Sequence, residues 1–154
     1  MNTTELQSYV RAQQVSLQWL PFLRAFAAEL SDLTDTEGLQ ALMAGVGQRV
    51  ADEARDYFEQ AQTLPELEEG LNEFWAHTNW GWVRLKEEGG HVSIVHSAAP
   101  LAEAFGDEAL SWSPALLEGF YNSVFGSLGA KETMTVRFSG QEADGLCLRF
   151  QFGL

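Results

Sequence analysis

Side chains able to do chemistry are thinly spread in this sequence. Its three histidines are His77, near the end of a predicted helix, and His91 and His96, which share a predicted strand. Strand residues alternate between faces, so the odd spacing of His91 and His96 sends them to opposite sides and makes a shared metal site awkward. Each histidine therefore reads as structural or surface, with haem or metal ligation as the alternative. Cys147, the single cysteine, can build neither an internal disulfide nor a multi-thiolate site, and reads as a small buried apolar residue. Asp32, Asp35 and Glu37 lie before Gly38, but their spacing does not fit a calcium loop, and acids are favoured at a helix start anyway. Asp52, Glu53, Asp56 and Glu59, with Glu66, Glu68, Glu69 and Glu73, hold enough carboxylates for glycoside hydrolysis. Nothing in their pattern buries one to raise its pKa, so they read as a solvated helix face. A phosphate loop ending in Gly-Lys-Ser/Thr, a Gly-x-Ser-x-Gly elbow and a His-Glu-x-x-His pair are all missing. No enzyme activity, cofactor or metal is expected. Trp75, Trp80, Trp82 and Trp112 read as core or interface packing, with stacking on sugars as the alternative. Trp82 shares a strand face with Arg84 and Lys86, which points it to a wet or intersubunit surface.

The elements that must position these residues begin with helices. Thr4 and Gln7 suggest a capping box for a short helix over 4–15 with a narrow apolar stripe of Leu6, Tyr9 and Val10. Trp19, Leu20, Phe22, Leu23, Phe26, Ala27 and Leu30 give a second helix ending near Asp32, with Pro21 in its first turn. Thr34 and Glu37 suggest a cap for a long helix over 36–61, and a fourth helix follows Thr63 and ends near His77. Gly45 and Gly47 lie inside the long helix, where each costs about 1 kcal/mol relative to Ala. Close approach of another backbone, within the subunit or across a subunit boundary, would account for them. From Trp80 the period changes to two, giving a hairpin around Glu87–Gly90. Residues 97–112 read as irregular, with one helical turn at Leu101–Phe105. Ser113-Pro114 then opens a broadly apolar helix to Gly129, and strands at about 132–139 and 145–152 close the chain. No internal repeat is evident. The fold class is α+β: four helices, a β-hairpin, a buried helix and a second β-hairpin, with a mainly antiparallel sheet of about four strands.

The 154 residues include 9 Lys+Arg against 22 Asp+Glu, a formal charge of −13. That charge opposes nucleic acids and anionic lipid surfaces as partners. Residues 1–78 hold 13 of the acids and 4 of the bases, so the helical half carries most of the excess. The longest apolar run, Ala41 to Gly47, falls far short of the roughly 20 residues needed to cross a bilayer, so no membrane insertion is expected. The opening Met1-Asn2-Thr3-Thr4-Glu5 lacks the charged and apolar parts of a secretory signal, which leads to a cytoplasmic expectation. The 45% hydrophobic content suits one cored domain over 1–154.

Four groups of residues carry a family resemblance: Gly45-x-Gly47-x-Arg49; Trp80-Gly81-x-Val83-x-Leu85; Ile94-Val95-His96; and Trp112-x-Pro114-x-Leu116-Leu117-Glu118-Gly119-Phe120-Tyr121. In this order and at these separations the chain resembles the D subunit of bacterial cellulose synthase. The resemblance covers about residues 40–130, with the last hairpin matching in pattern only. It implies a non-catalytic accessory protein that forms a ring-like octamer, a tetramer of dimers, and helps guide, extrude or order β-1,4-glucan chains. It also implies a cytoplasmic scaffold with another cellulose-operon protein beside the inner-membrane synthase complex. Glucan contacts would fall by position on Asn2, Thr3, Thr4 and Glu5. Leu6, Tyr9, Val10, Gly45, Gly47 and Trp82 are the oligomer-interface candidates, since a narrow apolar stripe suits a helix buried in a neighbour. Two other readings remain. One is a small-molecule sensor of the vinyl-reductase-like or haem–nitric-oxide-binding kind, loosely resembled by the Leu116–Phe120 helix and the hairpin bearing Cys147. The other is a glucan hydrolase using two of the carboxylates.

Overall fold

The computed structural model describes residues 3–142 and 146–154. Helices α1 (Thr3–Ala12), α2 (Leu20–Leu33), α3 (Thr36–Glu53), α4 (Arg55–Phe58) and α5 (Leu64–Thr78) precede a hairpin of β1 (Trp82–Glu88) and β2 (His91–Ser97). Helix α6 (Leu101–Phe105), a 3₁₀ turn (Asp107–Ser111) and α7 (Ala115–Ser127) lead to the second hairpin, β3 (Thr135–Gln141) and β4 (Cys147–Gly153). The predicted α+β order is present. The turn expected around 140–145 lies partly outside the described residues.

Local chemistry explains the boundaries and corrects several. Asp35, rather than Thr34, caps α3: its carboxylate accepts the Gly38 N–H at 2.9 Å. Thr63 caps α5 by accepting the Glu66 N–H at 3.2 Å, while the Glu66 carboxylate accepts the Gln62 N–H at 2.8 Å. The long helix expected over 36–61 breaks at Ala54, whose ψ of −1° takes it off helical geometry. The break lets Phe58 enter the core and sets Tyr57 edge-on to Phe74 at 5.4 Å. Thr4 lies inside α1 rather than before it. Ser113 does not cap α7: Pro114 is already in helical conformation, and the Ser113 hydroxyl is buried with no hydrogen-bond partner.

The four strands form an antiparallel sheet in the order β1-β2-β4-β3. Its centre is the pair Ile94–Phe150, flanked by His96–Leu148 and Val92–Phe152. Exchanging the hairpins maps this ladder onto itself. Leu85 opposite Ile94 corresponds to Phe138 opposite Phe150, and Val83 opposite His96 to Val136 opposite Phe152.

The helix before each hairpin repeats the relationship. On α5, Asn72 accepts the Val83 N–H at 2.7 Å and donates to the Val83 carbonyl at 2.9 Å, and Glu68 accepts the Leu85 N–H at 2.8 Å. On α7, Asn122 accepts the Val136 N–H at 2.7 Å and donates to its carbonyl at 3.5 Å, and Glu118 accepts the Phe138 N–H at 2.8 Å. The molecule therefore contains two helix–hairpin units related in structure but not by a repeat in the sequence. The Asn-to-strand spacing is 11 residues in the first unit and 14 in the second, so no constant sequence period reveals them.

The core lies between the helices and one sheet face. Trp75 is its hub, with ring centroids of Phe120, His96, Phe74 and Trp80 at 4.6, 4.9, 5.0 and 5.7 Å. Helices α3 and α7 cross at two glycines. A Cβ on Gly47 would fall 1.8 Å from the Leu116 carbonyl oxygen, and one on Gly119 would fall 2.0 Å from that of Ala44. Backbone contact of this kind leaves no room for a side chain at either glycine.

Candidate functional site

Helix α1 buries none of its residues, and ten residues are too few to hold a helix in water unaided. Polar tethers fix it instead. Arg11 pairs with Glu103 of α6, and the Gln14 amide donates to the Ala98 carbonyl at 2.6 Å. Its apolar stripe then borders an open groove of about 230 Å³ lined by Leu6, Val10, Trp82, Ala98 and Leu146. Three of the predicted interface residues, Leu6, Val10 and Trp82, thus meet at one place although more than seventy residues separate them. Trp82, at the start of β1, is 45% exposed, and Tyr9 lies outward on α1. Thr3, Thr4 and Glu5 are exposed in the first turn of α1, while Asn2 lies outside the described residues.

Helix α2 departs from the predicted pattern. Ala27 is its buried residue, whereas Trp19, Phe22 and Phe26 are 54%, 55% and 48% exposed. Their rings contact in sequence, Trp19 to Phe22 at 5.7 Å and Phe22 to Phe26 at 5.8 Å. Half-exposed aromatics in this number present roughly 300 Å² of apolar surface, enough to rank with functional patches. Leu33 on α2, and Leu42 and Val46 on α3, are also exposed. The spacing could have shown that a stripe this wide exceeds one helix's inward face, but not which side turns out.

Gly45 and Gly47 separate in the structure. Gly47 is buried, and its close backbone approach is made by α7 of the same chain; a Cβ on Gly45 would meet no atom within 4 Å. Between α2, the start of α3 and the 3₁₀ turn lies a broader groove of about 600 Å³, bordered by the hydroxyls of Ser31, Thr34 and Thr36 and the carboxylates of Asp107 and Glu108.

His96 is buried with both ring nitrogens occupied. Its Nε2 lies 2.7 Å from the Trp80 carbonyl oxygen and its Nδ1 2.6 Å from the Tyr121 hydroxyl. A carbonyl only accepts, so Nε2 carries a proton; burial keeps the imidazole neutral, and Nδ1 then accepts from the Tyr121 hydroxyl. Burial lowers its pKa from 6.5 to about 4, against a smaller upward pull from the Trp80 carbonyl. Burial likewise pushes the Tyr121 hydroxyl well above its ordinary range. Neither nitrogen is available to iron or another metal in this arrangement. Among the described residues no group of three or more His, Cys, Asp or Glu is placed to hold a metal ion. Cys147 is half-buried on the outer sheet face rather than in the core, 3.2 Å from the Ser97 hydroxyl. Gly81 explains part of its motif: at φ 79° it lets the chain turn from Trp80 into β1 while the Ser97 carbonyl passes where a Cβ would stand.

These features define an α+β protein of two helix–hairpin units on one antiparallel sheet, with apolar helix surface left uncovered. The family model for the D subunit of cellulose synthase matches residues 5–151, and the chain belongs to that family. It is 31% identical over 102 residues to the cellulose synthase operon protein D of Komagataeibacter xylinus and, equally, to that of Komagataeibacter sucrofermentans. The alignment covers 65% of this chain and 64% of each relative. A further relative from Komagataeibacter xylinus is 29% identical over the same length. Membership ties the chain to the cellulose synthase system. No helix among the described residues is long and apolar enough to cross a membrane.

Proposed function

We propose that the chain is a non-catalytic accessory protein of bacterial cellulose synthesis, acting as a ring-like octamer that guides or orders β-1,4-glucan chains leaving the synthase. The uncovered apolar surface of α1 and α2 carries this reading. Leu6, Tyr9, Val10, Trp82 and the Trp19–Phe22–Phe26 row are costly to leave in water, and closed symmetry would cover them with copies of the same surface. Thr3, Thr4 and Glu5 would then project toward a glucan path, with Asn2 beside them in sequence. The hydroxyls and carboxylates around the larger groove offer a second set of partners for sugar hydroxyls. Contacts of this kind, made partly through water, hold a neutral polymer without trapping it. The location is cytoplasmic, beside the inner-membrane synthase complex, with a further cellulose-operon protein as scaffold partner.

Native mass spectrometry of the purified chain tests the assembly. An octamer that dissociates through dimers is the expected species; a monomer at micromolar concentration overturns the ring.

A further inference from the structure

Four of the nine basic residues stand on the outer face of the sheet, the side turned away from the core, with α1 beside its Trp82 end. The strand register sets them in two neighbouring rows. Arg84 and Arg149 flank Val95 in one, while Lys86 and Arg137 end the next, with Ser93 and Gln151 between them. At about 4.8 Å per strand, Arg84 and Arg149 stand about 10 Å apart and Lys86 and Arg137 about 14 Å. Three of the four touch acids at the rim: Arg84 lies 3.7 Å from Glu68, Lys86 lies 3.7 Å from Glu88, and Arg149 pairs with Glu142. Such exposed pairs are weak and exchange readily. Arg137 has no ion pair among the described residues, and it borders a cleft of about 240 Å³ with His91, Thr135 and Gln151, all able to hydrogen-bond a carboxylate. Elsewhere the surface is overwhelmingly acidic.

We infer that this face docks an acidic, extended segment of a partner protein. Charge complementarity selects the partner, because this face gathers four of the nine bases of a chain with net charge −13. Shape selects a narrow one. A membrane plane or a nucleic-acid duplex wide enough to cover the face would also meet the rim acids Glu68, Glu88 and Glu142, whereas one extended strand fits between them. Residues i and i+4 of an extended chain span about 13 Å, so acids at that spacing reach Lys86 and Arg137 together. One carboxylate enters the cleft beside Arg137. The sheet edges are already bonded to Asn72 and Asn122, so the segment lies across the face through side chains rather than joining an edge as a fifth strand.

The test uses the full chain and a fluorescein-labelled peptide of about 12 residues with Glu at alternate positions, which includes the i, i+4 spacing, followed by anisotropy. Saturable binding is expected at low salt, roughly ten-fold weaker at about 0.15 M. Lys86→Glu with Arg137→Glu should weaken it at least ten-fold, while Arg55→Glu, a reversal on the helical side, should leave it unchanged. Equal loss with Arg55→Glu, equal binding of the matching Lys peptide, or tighter binding of phosphatidylglycerol vesicles or duplex DNA through the same residues would overturn the inference. So would salt-sensitive self-association lost in the Lys86/Arg137 variant without any peptide binding, since the occupant would then be a second copy. Circular dichroism of each variant separates lost binding from lost fold.

Discussion

Asn72 and Asn122 make the same pair of backbone bonds to opposite edges of one sheet, Asn72 to Val83 on β1 and Asn122 to Val136 on β3. A sheet edge offers unpaired N–H and C=O groups to any passing strand, and natural proteins cover such edges. Here each edge is closed by an asparagine, whose amide presents a donor and an acceptor together as a neighbouring strand would. Each has a glutamate one helical turn away that accepts the next free N–H. Asn72→Ala and Asn122→Ala should each lower unfolding free energy by about 1–3 kcal/mol, because each strands a half-buried donor and acceptor. The sites lie at opposite edges, so the effects should add within about 0.5 kcal/mol in urea titrations. Light scattering should show the double variant aggregating on warming before either single variant.

The α3–α7 crossing gives an internal contrast. Gly47→Ala and Gly119→Ala place a methyl group into a facing carbonyl and should cost several kcal/mol, since backbone rather than side chain must move. Gly45→Ala, two residues from Gly47, meets nothing within 4 Å and should gain up to about 1 kcal/mol from helix propensity alone. Thermal midpoints of the three variants check the ordering. If Gly45 lies at a subunit contact, the same substitution lowers the assembled mass although the subunit itself is more stable.

His96 predicts how stability depends on pH. Unfolded, it titrates near 6.5; folded, burial holds it neutral down to about 4. Between these values the unfolded chain binds the extra proton, so stability is complete above about 6.5 and falls as pH drops toward 4. The gap is worth on the order of 3 kcal/mol. His96→Gln should reduce stability at pH 7, where the Tyr121 and Trp80 bonds are disturbed, and flatten the slope between pH 4 and 6.5. Equal slopes in both proteins would show that other groups control acid unfolding.

Much of this architecture is legible in the sequence because the elements carry unambiguous periods. The change from 3.6 to 2 at Trp80, the Thr63 cap and the apolar helix after Pro114 all fix element type locally. What is not legible depends on relations across the chain. The asparagines of α5 and α7 look like ordinary polar helix residues until strands distant in sequence lie beside them, and their unequal loops conceal the repeat. Thr34 and Ser113 have capping chemistry, yet their neighbours Asp35 and Pro114 take the position. At the candidate surface, the α1 stripe and Trp82 could be singled out because each looks underused in a lone domain. The outward turn of Phe22 and Phe26 could not, since a hydrophobic period is the same whichever body covers it.

The first turn of α1 tests the glucan contact separately from assembly. Deleting residues 1–5 removes Thr3, Thr4 and Glu5 but retains Leu6, Tyr9, Val10 and the Arg11–Glu103 tether. Reduced cellulose crystallinity in cells relying on the truncated protein is the expected outcome, read by X-ray diffraction of the pellicle. If crystallinity is unchanged while the protein assembles normally, those residues do not contact glucan.

The aromatic row on α2 separates folding from assembly most cleanly. Phe22 and Phe26 stack on each other and expose about half their surface, so replacing both by Ser removes little from the subunit core. Exposed positions of this kind usually shift stability by no more than about 0.5 kcal/mol. If a second copy covers the row, the same change deletes two buried aromatic anchors at an interface, where truncations of such residues commonly cost about 2 kcal/mol or more each. Phe22→Ser/Phe26→Ser should therefore retain the wild-type unfolding midpoint at dilution to monomer yet shift the species seen by light scattering to smaller mass at micromolar concentration. Trp19 supplies an independent reading, because covering its ring moves tryptophan emission to shorter wavelength with increasing concentration in the parent chain and not in the variant. Unchanged mass in the variant would place the assembly contact elsewhere, leaving the α1–Trp82 groove as the surface to alter next.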